Sequence, residues 1–424
     1  MLIGWLVLLF LVLLALNIPV SFVLLMISTV YILLKGIPLA ALGHVLTTTA
    51  DSFILTAIPL FILAAYLMDK GGVSNRIIDF SKDLVGHLPG GLAHVNVVAN
   101  MIVAGMSGSA LADAGGIGVV AVKMMRRGGY DDDFTAAITA SASIIGPLIP
   151  PSIPLVLYGS IARESVGKLF LGGAIPGVLV GISLMIYIYF VAGKRNYPVT
   201  PRPTFREVLI HCRRVFLPIL TPFIILGGIV GGFFTPTEAA AVACLYAFLL
   251  GKCLYKAMSW RDCFHAFLDT AILTGVVVYI MGMAALWSWM ITNEGLATVL
   301  VNYLTSISKD PLIMLFMMNL ILLILGCFIE PLAIMIMVLP VFLPILHAYQ
   351  ISLIHFGVVM TLALMIGLLT PPFGECLFLL SAITGLSVGR VAAAVAPCLI
   401  GIIAVLALIT IFPGFVTWLP NLLM

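Results

Sequence analysis

The chain has 424 residues, of which 62% are hydrophobic and 9% charged, and its mean hydropathy is +1.25. A soluble globule carries about 25% charged residues, so this composition excludes one and defines a polytopic helical membrane protein in a lipid bilayer. The net charge of +3 carries no nucleic-acid signal, and the seven cysteines, without CxxC or CxxH spacing, read as apolar packing residues rather than metal or redox groups.

From the start of the chain, MLIGWLVLLF lacks the basic region and cleavage site of a signal peptide and reads as a retained first helix. Windows long enough to cross about 30 Å of hydrocarbon fall near 2–16, 18–34, 51–69, 134–160, 170–193, 215–233, 237–258, 268–291, 354–381 and 391–412, with Asn17 and Pro19 dividing the first apolar run. The stretches 92–125 and 311–346 are awkward as single spans and too short for two, which predicts re-entrant helical hairpins. Segments 69–91 and 292–310 are too polar to span yet have apolar residues at helical spacing, as in amphipathic arm helices on a membrane surface.

The polar, proline-rich connector 194–214 divides the chain into 1–193 and 215–424. With the N-terminus outside, every Lys and Arg except Lys35, Arg163, Lys168 and Lys309 falls on the cytoplasmic side. Five full spans precede the connector, so the second half starts from the opposite side and the halves are expected to be inverted-topology repeats. One fixed offset carries Gly146 to Gly367 and Pro150–Pro151 to Pro371–Pro372. It also carries Gly105 to Gly326, His44 to His265 and Thr49 to Thr270.

The two proline runs, IGPLIPP (145–151) and IGLLTPP (366–372), carry the chemistry. Tandem prolines remove two backbone donors and unwind a helix, and the freed carbonyls are tolerated only inside protein or along a cavity. A matched pair of broken helices marks the ion and substrate site of a secondary transporter. Gly146, Ile149 and Pro150 with Ser107 supply one oxygen cage for a sodium ion; Gly367, Thr370 and Phe373 with Gly326 supply another. An organic anion is expected between them, at Ser107, Ser109, Asp113, Pro151, Ser152, Pro372 and Gly374. Asp113, Glu330 and Glu375 are the acids placed at membrane depth; Glu330 and Glu375 either coordinate a cation, carry a proton or cap half-helices. Glu238 reads as a first-turn acid after a Thr235 or Thr237 cap, and the dispersed histidines read as hydrogen-bonded groups. Trp5, Trp260, Trp287, Trp289 and Trp418 lie near span ends and fit interfacial anchors. Paired acids on one helix, HExxH spacing and a Ser–His set are missing, which argues against an intramembrane enzyme.

SGSALAD (107–113), GYDDDFTAAITASASIIGPLIPPSIP (129–154), FTPTEAAAVA (234–243) and HFGVVMTLALMIGLLTPPFG (355–374) resemble the large membrane subunit of tripartite ATP-independent periplasmic (TRAP) transporters. The resemblance covers nearly the whole chain. It implies an elevator-type sodium/organic-acid symporter of the bacterial inner membrane, importing sialic acid or a C4-dicarboxylate without a cofactor beyond Na⁺. Its implied partners are a small four-helix membrane subunit and a soluble periplasmic substrate-binding protein. The family's sodium sites map to Ala104, Ser107, Gly146, Ile149 and Pro150, and to Gly326, Gly367, Thr370 and Phe373. Ser352, Ala363 and Tyr66 depart from the family pattern, which often has Asp, Asn and an acid there. The alternative is a stand-alone divalent-anion/sodium symporter of similar architecture.

Overall fold

The computed structural model describes residues 5, 9–10, 12–13, 18, 20–51, 56–195, 197, 199, 201–295 and 308–424. The Asn17–Pro19 division and most of the second arm segment lie outside them. Among the described residues the chain is all-α, without a strand.

The helices before the connector are α1 (Val20–Leu34), α2 (Ala40–Ala50), α3 (Ala57–Lys70), α4 (Val73–Val85), α5 (Gly91–Ser107), α6 (Ala110–Gly115), α7 (Ile117–Arg127), α8 (Asp132–Ser143), α9 (Ile153–Ala162) and α10 (Val166–Arg195). After it come α11 (Phe205–Val230), α12 (Pro236–Phe248), α13 (Trp260–Asn293), α14 (Pro311–Gly326), α15 (Pro331–Ala348), α16 (Leu353–Gly367), α17 (Glu375–Thr384), α18 (Val388–Ile411) and α19 (Gly414–Leu423). Six helices among the described residues are long and apolar enough to cross a membrane, and the α3–α4 pair makes a seventh if counted as one bent span. That is fewer than the ten apolar windows, because the proline runs and a glycine bend cut several windows into pieces of 10–17 residues.

Local chemistry explains the boundaries. Gly72 adopts φ +70, a left-handed conformation that glycine takes without steric cost, and α3 and α4 meet there at 71°. Helix α4 buries Val73, Ile77, Ile78 and Ser81 while Arg76, Asp79 and Lys82 stay partly exposed and Asp83 pairs with His211 of α11, the amphipathic pattern expected of an arm. Thr204 and Thr235 start α11 and α12 with capping boxes completed by Glu207 and Glu238. Glu238 therefore has the capping role read from the sequence.

Two sets of helix contacts stand out, joined to each other where α4 packs on α5 and α13 on α15. Helix α13 lies along α1, α2 and α3, while α3 packs on α12, and α11 packs on both α4 and α12. In the other group α18 packs on α8 and α10, α14 packs on α16, and α9 meets α15. Segments 170–193 and 391–412 thus sit against the broken helices. Two of the five tryptophans also serve packing rather than an interface. Trp287 is buried and stacks on Phe10 at 5.3 Å, and Trp289 meets Tyr31 edge-on at 6.4 Å.

Candidate functional site: two broken helices around one cavity

Helix α5 stops at Ser107 because Gly108 turns left-handed at φ +62. Ser109 then caps α6, accepting from the Ala112 amide at 3.4 Å. This turn rests directly on the first proline break. A Cβ at Gly108 would lie 2.5 Å from the Pro151 carbonyl oxygen, and the Ile153 amide donates to the Gly108 oxygen at 3.3 Å. The break runs from the end of α8 at Ser143 to the start of α9 at Ile153. Ser152 closes it by donating to the Pro147 oxygen and accepting from the Leu155 amide.

The second unit repeats the arrangement. Helix α14 ends at Gly326, and Glu330 caps α15 by accepting from the Ala333 amide at 2.8 Å. The second break spans Leu368–Gly374, and the Phe373 amide donates to the Cys327 oxygen at 3.0 Å. Gly326 and Gly367 bring two backbones into contact: a Cβ on Gly326 would sit 3.2 Å from the Gly367 Cα. Both tandem-proline bonds, Pro150–Pro151 and Pro371–Pro372, are cis.

Among the described residues, the carbonyls of Gly146, Ile149 and Pro150 accept no hydrogen bond, and neither do those of Gly326, Thr370 and Phe373. The Gly367 oxygen accepts from the Thr370 amide at 3.0 Å, and the Thr370 hydroxyl donates to the Ile366 oxygen at 2.8 Å. Carbonyls without partners inside an apolar protein are costly unless something else coordinates them. A hard cation that takes oxygen ligands fits such donor sets. Ala104, buried on α5 one residue before Gly105, can contribute only backbone; a Cβ on Gly105 would lie 3.7 Å from the Pro150 oxygen.

Between the two units lies a cavity of about 470 Å³. The first hairpin contributes Ser107, Ser109 and Asp113; Pro147, Leu368 and Glu375 come from the margins of the breaks, and Glu330 from the second hairpin. Helices α3 and α13 close it with Tyr66, Asp69, Lys70 and Asp269. Of the residues expected to meet an anion, Ser107, Ser109 and Asp113 face this space. Pro151, Ser152, Pro372 and Gly374 are not part of its lining, and Ser152 is used as a helix cap. Except for Ser107, the residues expected in the oxygen cages are not part of its lining either.

Asp113 is 1% exposed, and neither carboxylate oxygen has a hydrogen-bond partner among the described residues. The Ser107 hydroxyl and the Asp69 carboxylate are its polar neighbours. In all, five carboxyl groups and one ammonium line the space. With a single ammonium among the described lining groups, accompanying cations would favour the entry of an anion. Asp269 escaped the sequence reading although it falls inside an apolar window, and the cost of an acid there was the signal available. Lys70 carried no such signal and Tyr66 stood out only as a departure from the family pattern; the packing of α3 against α13 brings both to the cavity.

An all-helical membrane protein with paired helix breaks around a cavity lined by carboxyl groups belongs to the class of solute carriers. Residues 7–415 match the family of the tripartite ATP-independent periplasmic transporter, DctM component, and the chain belongs to that family. It is therefore a TRAP transporter large permease, a transport protein rather than an enzyme. The chain is 43% identical to the sialic acid TRAP transporter large permease protein SiaM of Vibrio cholerae, over 99% of this chain and 97% of that one. It is 45% identical to the sialic acid TRAP transporter permease protein SiaT of Haemophilus influenzae, over 89% of this chain; the aligned region spans 61% of that longer protein. It is 40% identical to the C4-dicarboxylate TRAP transporter large permease protein DctM of Pseudomonas aeruginosa, over 88% and 87% of the two chains. Its fold resembles the YdaH transporter of Alcanivorax borkumensis, with a TM-score of 0.61 and 16% identity over 88% and 87% of the two chains.

Proposed function

We propose that this chain is the sodium-coupled membrane subunit of a tripartite importer for an organic acid, either sialic acid or a C4-dicarboxylate. A periplasmic binding protein delivers the substrate, and a small membrane subunit completes the complex in the bacterial inner membrane. The observation that carries the reading is the pair of unpartnered carbonyl sets, one at each proline break, flanking a cavity rich in carboxyl groups. Sodium ions held there would supply the positive charge that the cavity lacks, so the anion and its coupling ions would bind together. Inverted repeats and elevator movement of the hairpin-and-break units against α1–α4 and α11–α13 are consistent with the two packing groups.

The test is uptake of radiolabelled sialic acid and succinate into proteoliposomes under an inward Na⁺ gradient. Arms with and without the binding protein and the small subunit are compared. Uptake of one of the two acids that needs Na⁺ and both partners supports the proposal. Robust uptake by this chain alone, indifferent to Na⁺, would establish a self-sufficient carrier instead.

A further inference from the structure

Tyr66 and Lys70 stand one turn apart on α3, and both line the cavity. Residues at i and i+4 share a helix face with Cβ atoms about 5–6 Å apart, so a phenol hydroxyl and an ammonium are presented side by side. Lys70 is exposed and forms no ion pair among the described residues. The carboxylate that interacts with it at longer range, Asp262, is held by the Ser259 hydroxyl at 2.6 Å and the Ser259 amide at 2.8 Å. The Tyr66 hydroxyl has no hydrogen-bond partner among the described residues, and the charge it feels is that of Asp269. Both donors are thus uncommitted, and they lie in a cavity whose other charged side chains are all carboxyl groups.

An organic anion in that cavity meets carboxyl groups on every side, Asp69 of α3 included, and the Lys70 ammonium is the one cation among the described lining residues. Charge-assisted hydrogen bonds to a carboxylate are about twice as strong as neutral ones, and an ammonium flanked by a hydroxyl matches the two oxygens of such a group. We propose that Tyr66 and Lys70 form the anion-receiving subsite, taking a carboxylate of the substrate on the α3 wall. The inference rests on the transport reading above. It adds a contact made by side chains of α3, outside the hairpins and the helix breaks.

The complete transporter in proteoliposomes provides the test, with sialic acid and succinate as probes. Absence of uptake of either acid by the wild type refutes the transport reading itself and is separate from the behaviour of the variants. With wild-type uptake in hand, Lys70→Gln should raise the half-saturating substrate concentration about tenfold while leaving the half-saturating Na⁺ concentration and the maximal rate little changed. Lys70→Arg should stay close to wild type, and Tyr66→Phe should give a smaller rise. An unchanged half-saturating substrate concentration in Lys70→Gln, or a loss confined to the maximal rate, would overturn the subsite.

A second measurement is independent of that variant's folding. Lys70→Cys is placed in a background whose exposed Cys212 and Cys253 are replaced by serine, and is then modified after assembly. A reagent that adds an aminoethyl group should restore affinity, whereas one that adds a methyl group should not. Equal effects of the two reagents would refute the role of the charge.

Discussion

Gly367→Ala is the sharpest probe of the contact between the second hairpin and its broken helix. The new methyl would lie 2.5 Å from the Gly326 oxygen, 2.6 Å from its carbonyl carbon and 2.7 Å from its Cα. All three are backbone atoms, so no side chain can swing away. Ordinary van der Waals contact begins near 3.4 Å, which means α14 and α16 must separate by about 0.9 Å where they touch. Overpacking of this kind costs about 1–3 kcal/mol, and about 2 kcal/mol corresponds to roughly thirtyfold in an equilibrium constant. The reciprocal change is far milder, since a methyl on Gly326 meets the Gly367 Cα at 3.2 Å and needs only a few tenths of an ångström. Sodium titration of uptake, with melting temperature in detergent as a parallel readout, should therefore rank Gly367→Ala well below Gly326→Ala, and Gly326→Ala close to wild type. Equal behaviour of the two variants, or the reverse order, would refute the claim that this backbone contact shapes the site.

Three further outcomes follow from features away from the cavity. Thr235→Ala removes the capping box of α12 and should lower stability by about 1 kcal/mol, read as a shift of the melting transition; Glu238→Gln should be milder. Asn319→Leu breaks the buried bond from its amide to the Thr410 hydroxyl, 2.9 Å long, between α14 and α18, and should cost about 1 kcal/mol by the same assay. Glu294 is held below the ordinary carboxylate range by its bond to Lys35, 2.7 Å away, and by the Tyr31 hydroxyl at 2.8 Å. A depressed carboxyl stabilises the fold above its ordinary value of 4.5 and loses that contribution as the pH falls through the lowered one. Wild type should accordingly lose more melting temperature than Lys35→Gln on acidification from neutrality to below 4.5.

What the sequence disclosed and what it withheld follow from the range of the physics involved. The breaks at 145–151 and 366–372 were legible because tandem proline acts on its own helix, without help from the rest of the fold. The Gly326–Gly367 contact was half legible. A shared offset paired Gly105 with Gly326 and Gly146 with Gly367, yet Gly326 presses on Gly367 while Gly105 abuts Pro222 of α11, and the first hairpin makes its tight contact with its break through Gly108 instead. The division of roles around Ser152 was hidden, since a serine beside an unwound segment serves equally as ligand or cap until its hydroxyl is seen spent on Pro147 and Leu155. The α3 wall was the least accessible. Lys70 at the end of an apolar window looks like any topology anchor, and its place on the cavity depends on α13 packing beside it and on the bend at Gly72.

The hydrogen bonds that fasten the hairpins to their breaks are main-chain ones, Ile153 to Gly108 and Phe373 to Cys327. Such a joint has no side chain to lose, so substitutions drift past it without undoing it, and only glycine and proline positions nearby are constrained. The α3 face is built in the opposite way, from side chains that single mutations can exchange. An engineer who wishes to retune the carrier's grip on its cargo can therefore work on the α3 face while leaving the fastening underneath untouched.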